Sequence, residues 1–199
     1  MTTEGPIPSA PPTSSGSLWN KMLRAAKLDI NLYEEVEHDT SVTGQAFVVV
    51  LLVALATGIG MGIGYVIEGE ESYPFLRGLG LGLGSGIVGW LLWSLFAYVL
   101  GTTIFRGPET EATYGQLLRT LGFANTPGLL RIFSFVPFFG GLIALAGFVW
   151  LLIAGVIAVR QALDFSTWRA IGTCVVGWLL YLLLTALLGI FIGGIALWF

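Results

Sequence analysis

Few residues of this chain can do chemistry, and none is spaced to do it with a partner. The single histidine, His38, stands in the acidic stretch NLYEEVEHDTSVTGQA with no second histidine and no cysteine beside it. A metal site needs several such ligands at fixed spacing, so His38 reads as a solvated loop residue and no metal is expected. The single cysteine, Cys174, lies in an apolar run. It cannot form an intramolecular disulfide and reads as a small buried apolar group. No paired carboxylates and no nucleophile with a base stand out, so neither catalysis nor a cofactor is expected. The charged residues that draw notice are Arg119, Arg160 and Asp164. Asp164 lies one helical turn beyond Arg160 and is the only acid after Glu111. The three are expected to meet at one end of a helix bundle, where Asp164 is the local counterion.

The elements that must position them are apolar. Of the 199 residues, 55% are hydrophobic and 11% charged, and mean hydropathy is +0.85. A soluble domain carries about 25% charged residues, so the bilayer is the expected solvent. The net charge of −3 gives no basis for nucleic-acid binding. Four runs have spanning length: Ala46–Ile67, Gly78–Phe105, Phe138–Val159 and Ile171–Trp198. None contains Asp, Glu, Lys, Arg or His. Proton relays and ion-coupled carriers keep ionisable groups at membrane depth. These runs keep none.

Glycine recurs at helical spacing in Gly58/Gly62, Gly60/Gly64, Gly78/Gly82/Gly86, Gly80/Gly84 and Gly189/Gly193. In lipid, small residues four apart let backbones approach closely. The alternation predicts that each helix is gripped on two faces. The glycines follow no strand, which argues against a nucleotide-binding loop.

Between the second and third glycine-bearing stretches lies LRTLGFANTPGLLRIF, Leu118–Phe133. The spacing of Leu117, Leu118, Leu121 and Ala124 predicts a helix ending near Ala124. Asn125-Thr126-Pro127-Gly128 then interrupts it. Proline pushes the preceding residue out of the helical region and suits the first position of a new helix, with Thr126 as its cap. This predicts a third span broken at Thr126-Pro127. Irregular backbone at membrane depth must face other helices or a wet cavity.

Residues 1–17 are rich in Pro, Ser, Thr and Gly and read as a disordered tail. Residues 18–44 read as a cytosolic amphipathic helix followed by an acidic juxtamembrane segment. On that helix Trp19, Met22, Leu23, Ala26 and Ile30 cluster opposite Lys21, Arg24 and Lys27. This predicts an interfacial helix with its cations on anionic headgroups. Residues 45–199 then form the transmembrane domain. If the broken segment crosses, there are five spans, and seven of the nine Lys and Arg residues lie inside, with Arg77 and Arg131 outside. If it dips and returns, there are four spans and the split is six to three. The charge count therefore favours five. Trp198 and Phe199 then end the chain at the outer interface.

LRTLGFANTPGLL, the proline-containing turn SFVPFFGG, GFVWLLIAGVIAVRQALDFSTWRAI and the terminal apolar helix together resemble the YIP family, closest to its prokaryotic branch. NLYEEVEHD stands where that family has an Asp-Leu-Tyr-Gly-Pro motif. Leu32 and Tyr33 match it, and Asn31, Glu34 and Glu35 do not. Gly122 and Phe123 stand where eukaryotic members have Gly-Tyr. The resemblance implies five spans, with the N-terminus cytosolic and the C-terminus on the far side. The better-known members interact with Rab/Ypt GTPases, but the departure at Gly-Pro means that partner is not carried over. The expected fold is an all-α polytopic helix bundle in a prokaryotic cytoplasmic membrane. The expected role is non-enzymatic organisation of lipid or partner proteins, including self-association. A transporter or channel component and a noncatalytic subunit of a larger complex are the alternatives.

Overall fold

The structure, a computed structural model, describes residues 16–69 and 72–196, with side chains to residue 190. The N-terminal tail to residue 15, two acids of the loop after the first span, and Trp198 and Phe199 lie outside the described residues. The described elements are all helical: α1 (Leu18–Ala26), α2 (Ile30–His38), a 3-10 turn (Thr40–Val42), α3 (Thr43–Glu68), α4 (Pro74–Thr102), α5 (Tyr114–Ala124), a 3-10 helix (Thr126–Phe133), α6 (Gly140–Ala162) and α7 (Thr167–Ala196). Four of these, α3, α4, α6 and α7, are long and apolar enough to cross a membrane. Helix α4 starts at Pro74, one turn before the expected Gly78. Proline sits in its first turn, where a missing N–H removes no helical bond.

Glycine spacing determines how α3 and α4 meet. A Cβ at Gly78 would overlap the backbone of Gly62, and one at Gly82 that of Gly58. A Cβ at Gly86 would lie 2.7 Å from the Cβ of Ala54. Ala54, Gly58 and Gly62 thus face Gly86, Gly82 and Gly78 in an antiparallel ladder of backbone on backbone. The second faces differ from the expectation. On α3, Gly60 is also covered: a Cβ there would overlap the carbonyl of Arg131. Among the described residues a Cβ at Gly64 on α3, or at Gly80 or Gly84 on α4, meets nothing within 4 Å. So α3 is gripped on two sides and α4 on one. A Cβ at Gly189 also meets nothing within 4 Å among the described residues.

Helix α5 begins with a capping box, in which Thr113 and Gln116 satisfy each other's backbone donors. The helix breaks where expected, but the chain continues as an eight-residue 3-10 helix. Pro127 lacks a donor, and the Gly128 N–H bonds back to the Asn125 carbonyl at 2.8 Å, setting the tighter period. The carbonyls left at the end of α5 take side-chain donors. Asn125 Nδ2 donates to Leu121 O at 2.8 Å and Thr126 Oγ1 to Phe123 O at 2.7 Å. Thr126 therefore closes the helix before it and does not cap the one after, contrary to expectation. The irregular backbone is covered by α3. Gly122 lies against Ala46, Gly128 against Val53, and Arg131 O against Gly60. The whole segment thus runs alongside α3 and in the same direction.

Beyond the turn, α6 returns past the 3-10 helix, with Gly147 close to Leu130. Helix α7 packs against α4 and α6. Its outward leucines, among them Leu179, Leu182 and Leu183, are exposed, as suits a lipid-facing surface.

Candidate functional site

At one end of the bundle, α1 and α2 form a docked cap. Ser17 caps α1, which ends with Leu28 in the left-handed region (φ 61°). The N–H groups of Leu28 and Asp29 bond to Ala25 O and Arg24 O, each at 3.0 Å, completing a Schellman motif. Two further donors reach this helix end. Tyr33 Oη–H, fully buried on α2, donates to Ala25 O at 3.2 Å, and Trp150 Nε1–H on α6 donates to Ala26 O at 2.8 Å. Arg24 forms a fork on Glu35, both bonds 2.8 Å, and donates to Asp29 at 2.7 Å. These bonds hold the Arg24 pKa above its ordinary value and the Asp29 carboxyl below its own.

This corrects the expected face of α1. Lys21 is buried, its Nζ donating to Gln45 Oε1 at 2.9 Å, and Arg24 is spent on α2. Of the three cations only Lys27 is exposed. The outward surface carries Trp19, Leu23 and Ile30, which are 63%, 44% and 46% exposed, while Met22 is buried. Of the five expected apolar residues Trp19, Leu23 and Ile30 face out, Ile30 from the start of α2, whereas Met22 is buried and Ala26 half-buried; two of the expected headgroup cations do not face out either.

The expected meeting of Arg119, Arg160 and Asp164 does not form. Arg119 is buried, and its Nε donates to Val36 O at 2.9 Å while Nη2 donates to Glu37 O. These carbonyls belong to the last turn of α2, where no helical donor remains and a cation complements the dipole. Arg160 and Asp164 are exposed, and among the described residues no ion pair joins them. The bond between α6 and α2 comes instead from Gln161 Nε2, which donates to Glu34 Oε2 at 2.9 Å. Asp164 occupies the left-handed region (φ 49°) in the tight turn between α6 and α7.

Beside Arg119, Glu37 is buried on α2. Its Oε1 accepts from Gln116 Nε2 at 2.9 Å, and its Oε2 has no hydrogen-bond partner among the described residues. Burial pushes its pKa up to about 7, against opposition from His38; Asp164 and Glu34 push the same way as burial.

Between α3, α4, α6, α7 and the broken helix lies a cavity of about 240 Å³. Asn125 and Arg131 enter it from the break, and Trp90, Trp93, Trp178 and Tyr181 line its far walls. Among the described residues Arg131 has no hydrogen bond from its side chain and no ion pair. Pro127 and Gly128 are buried and carry no group toward it. Phe123 is fully buried behind the break.

Compared with known families, the chain matches the Yip1 domain over residues 31–199. The chain belongs to this family. No curated protein and no solved structure matches it. The matched Yip1 domain begins inside the cap, so α2 is part of the domain and not a leader to it. Leu32 and Tyr33, the two positions that agree with the family's first motif, are both fully buried in that cap. Gly122 and Phe123 pack the break against α3. In this Yip1 domain the matching motif residues therefore build the joint between cap and bundle. Sequence reasoning missed Glu37, Trp150 and Arg131. Arg131 was visible only as a charge of the broken third segment counted on the outer side. The roles of Glu37 and Trp150 depend on tertiary placement that no local pattern signals.

Proposed function

We propose that this Yip1-domain protein is a non-enzymatic membrane organiser that engages lipid or partner proteins at a cap rigidly tied to its membrane helices. The single observation that carries this reading is how the cap is fastened. Arg24 ties α1 to α2, Arg119 ties α2 to α5, and Trp150 ties α1 to α6. Meanwhile Trp19, Leu23 and Ile30 face outward, a surface suited to the bilayer interface or an apolar partner. An event at that surface is thereby coupled to the bundle. The reading includes five crossings, because the broken segment accompanies α3 from Ala46 to Gly60. It also places the cap in the cytosol of a prokaryotic cell and the C-terminus on the far side.

The test is copurification from native membranes in mild detergent, comparing the wild type with a Trp19→Ala/Leu23→Ser double variant. The variant should fold and melt like the wild type and lose associated lipid or protein. An unchanged set of companions would refute the cap as the engaging surface. A reading as a transporter component draws on the cavity beside the broken helix, and solute flux in reconstituted liposomes would favour it instead.

A further inference from the structure

We propose that the cavity between α3, α4, α6, α7 and the broken helix binds an anionic lipid, its phosphate on Arg131 and part of one acyl chain along the apolar walls. Arg131 is the observation that demands a ligand. Its backbone lies against Gly60, about 12 Å along α3 from the end at Glu68. A cation at that depth is retained where something pairs with it. Among the described residues no carboxylate lines the cavity. The other polar groups there, Thr57, Ser85, Asn125 and Tyr181, are neutral: each can accept a hydrogen bond, and Tyr181 interacts electrostatically with the guanidinium, but none supplies a full countercharge. Thr57 and Ser85 donate back to Val53 O at 2.9 Å and Leu81 O at 2.6 Å, and Asn125 donates to Leu121 O.

Guanidinium geometry selects the ligand's head. Its planar fork matches two oxygens of a phosphate ester. The walls select the tail. Val53, Leu121, Phe148, Leu151, Trp93 and Trp178 present an apolar and aromatic surface, which a small hydrated anion would not fill. The volume sets a limit. At about 240 Å³ the cavity is smaller than the roughly 300 Å³ at which whole-ligand pockets begin, so the remaining chain stays in the surrounding bilayer. The site thus holds a lipid by its head and the start of one chain.

This names a ligand class within the lipid-organising reading above and rests on it, but it fails separately. The cap variant Trp19→Ala/Leu23→Ser touches nothing in the cavity, so whatever lipid or protein it loses at the cap, it should keep phosphatidylglycerol binding that depends on Arg131.

The experiment uses the full chain purified in mild detergent. Phosphatidylglycerol, phosphatidylcholine and water-soluble glycerol 3-phosphate are added in parallel, with thermal unfolding and native mass spectrometry as readouts. Phosphatidylglycerol should raise the unfolding temperature and remain bound in the gas phase. Arg131→Gln should weaken its apparent affinity about tenfold or more, the loss expected for a charge-assisted bond. Arg106→Gln, an exposed arginine elsewhere, should not. Gly155→Leu provides the variant that keeps the charge. Gly155 lines the cavity, and a Cβ there meets nothing within 4 Å, so the added side chain fills the space and displaces lipid without moving a helix. Phosphatidylglycerol binding unchanged in Arg131→Gln, or in a well-folded Gly155→Leu, would overturn the proposal. So would an equal response to phosphatidylcholine. An equal response to glycerol 3-phosphate would overturn the lipid assignment and leave a site for a free phosphate ester.

Discussion

Replacing Gly82 with alanine adds one methyl group where the fold has no room for it. The new Cβ would overlap the Cα and N of Gly58 and lie 2.9 Å from Ala54 O. All three are backbone atoms of α3, so no rotamer change can relieve the clash and the two helices must separate. Overpacking of this kind costs about 1–3 kcal/mol. Alanine in place of glycine also favours a helix by roughly 0.5–1 kcal/mol, which blurs the effect of a single variant. Gly80→Ala removes that ambiguity. It lies in the same helix, carries the same propensity gain, and its Cβ meets nothing within 4 Å. The difference between the two variants isolates the interhelical clash. At about 2–4 °C per kcal/mol for a chain of this size, Gly82→Ala should unfold several degrees below Gly80→Ala. The assay is thermal unfolding in detergent, followed by intrinsic fluorescence with both proteins in the same buffer. If the two variants melt together, α3 and α4 do not meet backbone to backbone and the ladder is refuted.

Cap stability should depend on pH through Glu37. Burial raises its carboxyl from an ordinary 4.5 to about 7, so the fold favours the protonated form; stability falls as pH rises between those values and is level above them. His38, whose pKa is also raised, loses its contribution in the same direction as pH rises. Protease sensitivity of the cap should therefore increase from pH 5 to pH 8, and Glu37→Gln should flatten most of that rise; an unchanged slope would remove Glu37 as the cause. Arg119→Ala strips two carbonyls at the end of α2 of their donors and should destabilise by about 2–4 kcal/mol, whereas Arg160→Ala, exposed and without an ion pair among the described residues, should stay within about 0.5 kcal/mol in the same melting assay. A reporter active only in the cytoplasm, fused after Phe199, should give no signal; a strong one would require an even number of crossings.

The apolar runs, the glycine spacing and the interruption at Asn125–Gly128 were legible because each depends on neighbours in sequence. Length and hydropathy mark a span wherever it packs, and Pro127 breaks a helix through its own ring and missing donor. What could not be read was which side of a polar helix turns inward. Lys21 and Arg24 look like headgroup ligands on α1 alone; Glu35 and Gln45 claim them only once α2 and α3 have folded back. Arg119 was expected to seek a carboxylate, and it took backbone carbonyls, which carry no sequence signature. The second glycine face of α4 was overread for a related reason. Periodicity shows that a close approach is possible, but among the described residues Gly80 and Gly84 have no neighbour to approach, while the row facing α3 has one.

The glycine ladder also has a mechanical meaning. Two helices in contact through backbone atoms have no side-chain rotamers between them to absorb a sliding or rolling motion, so any shift of α3 against α4 must displace backbone. The broken segment is clamped to α3 through Gly60, Gly122 and Gly128. Helices α6 and α7 are held differently, by larger side chains such as Phe148 and Trp178, whose rings lie 5.8 Å apart and can reorient. Helix α6 is further fastened to the cap through Trp150 and Gln161, so α7 is the wall of the cavity held by side-chain packing alone, and the glycine-built side is its frame.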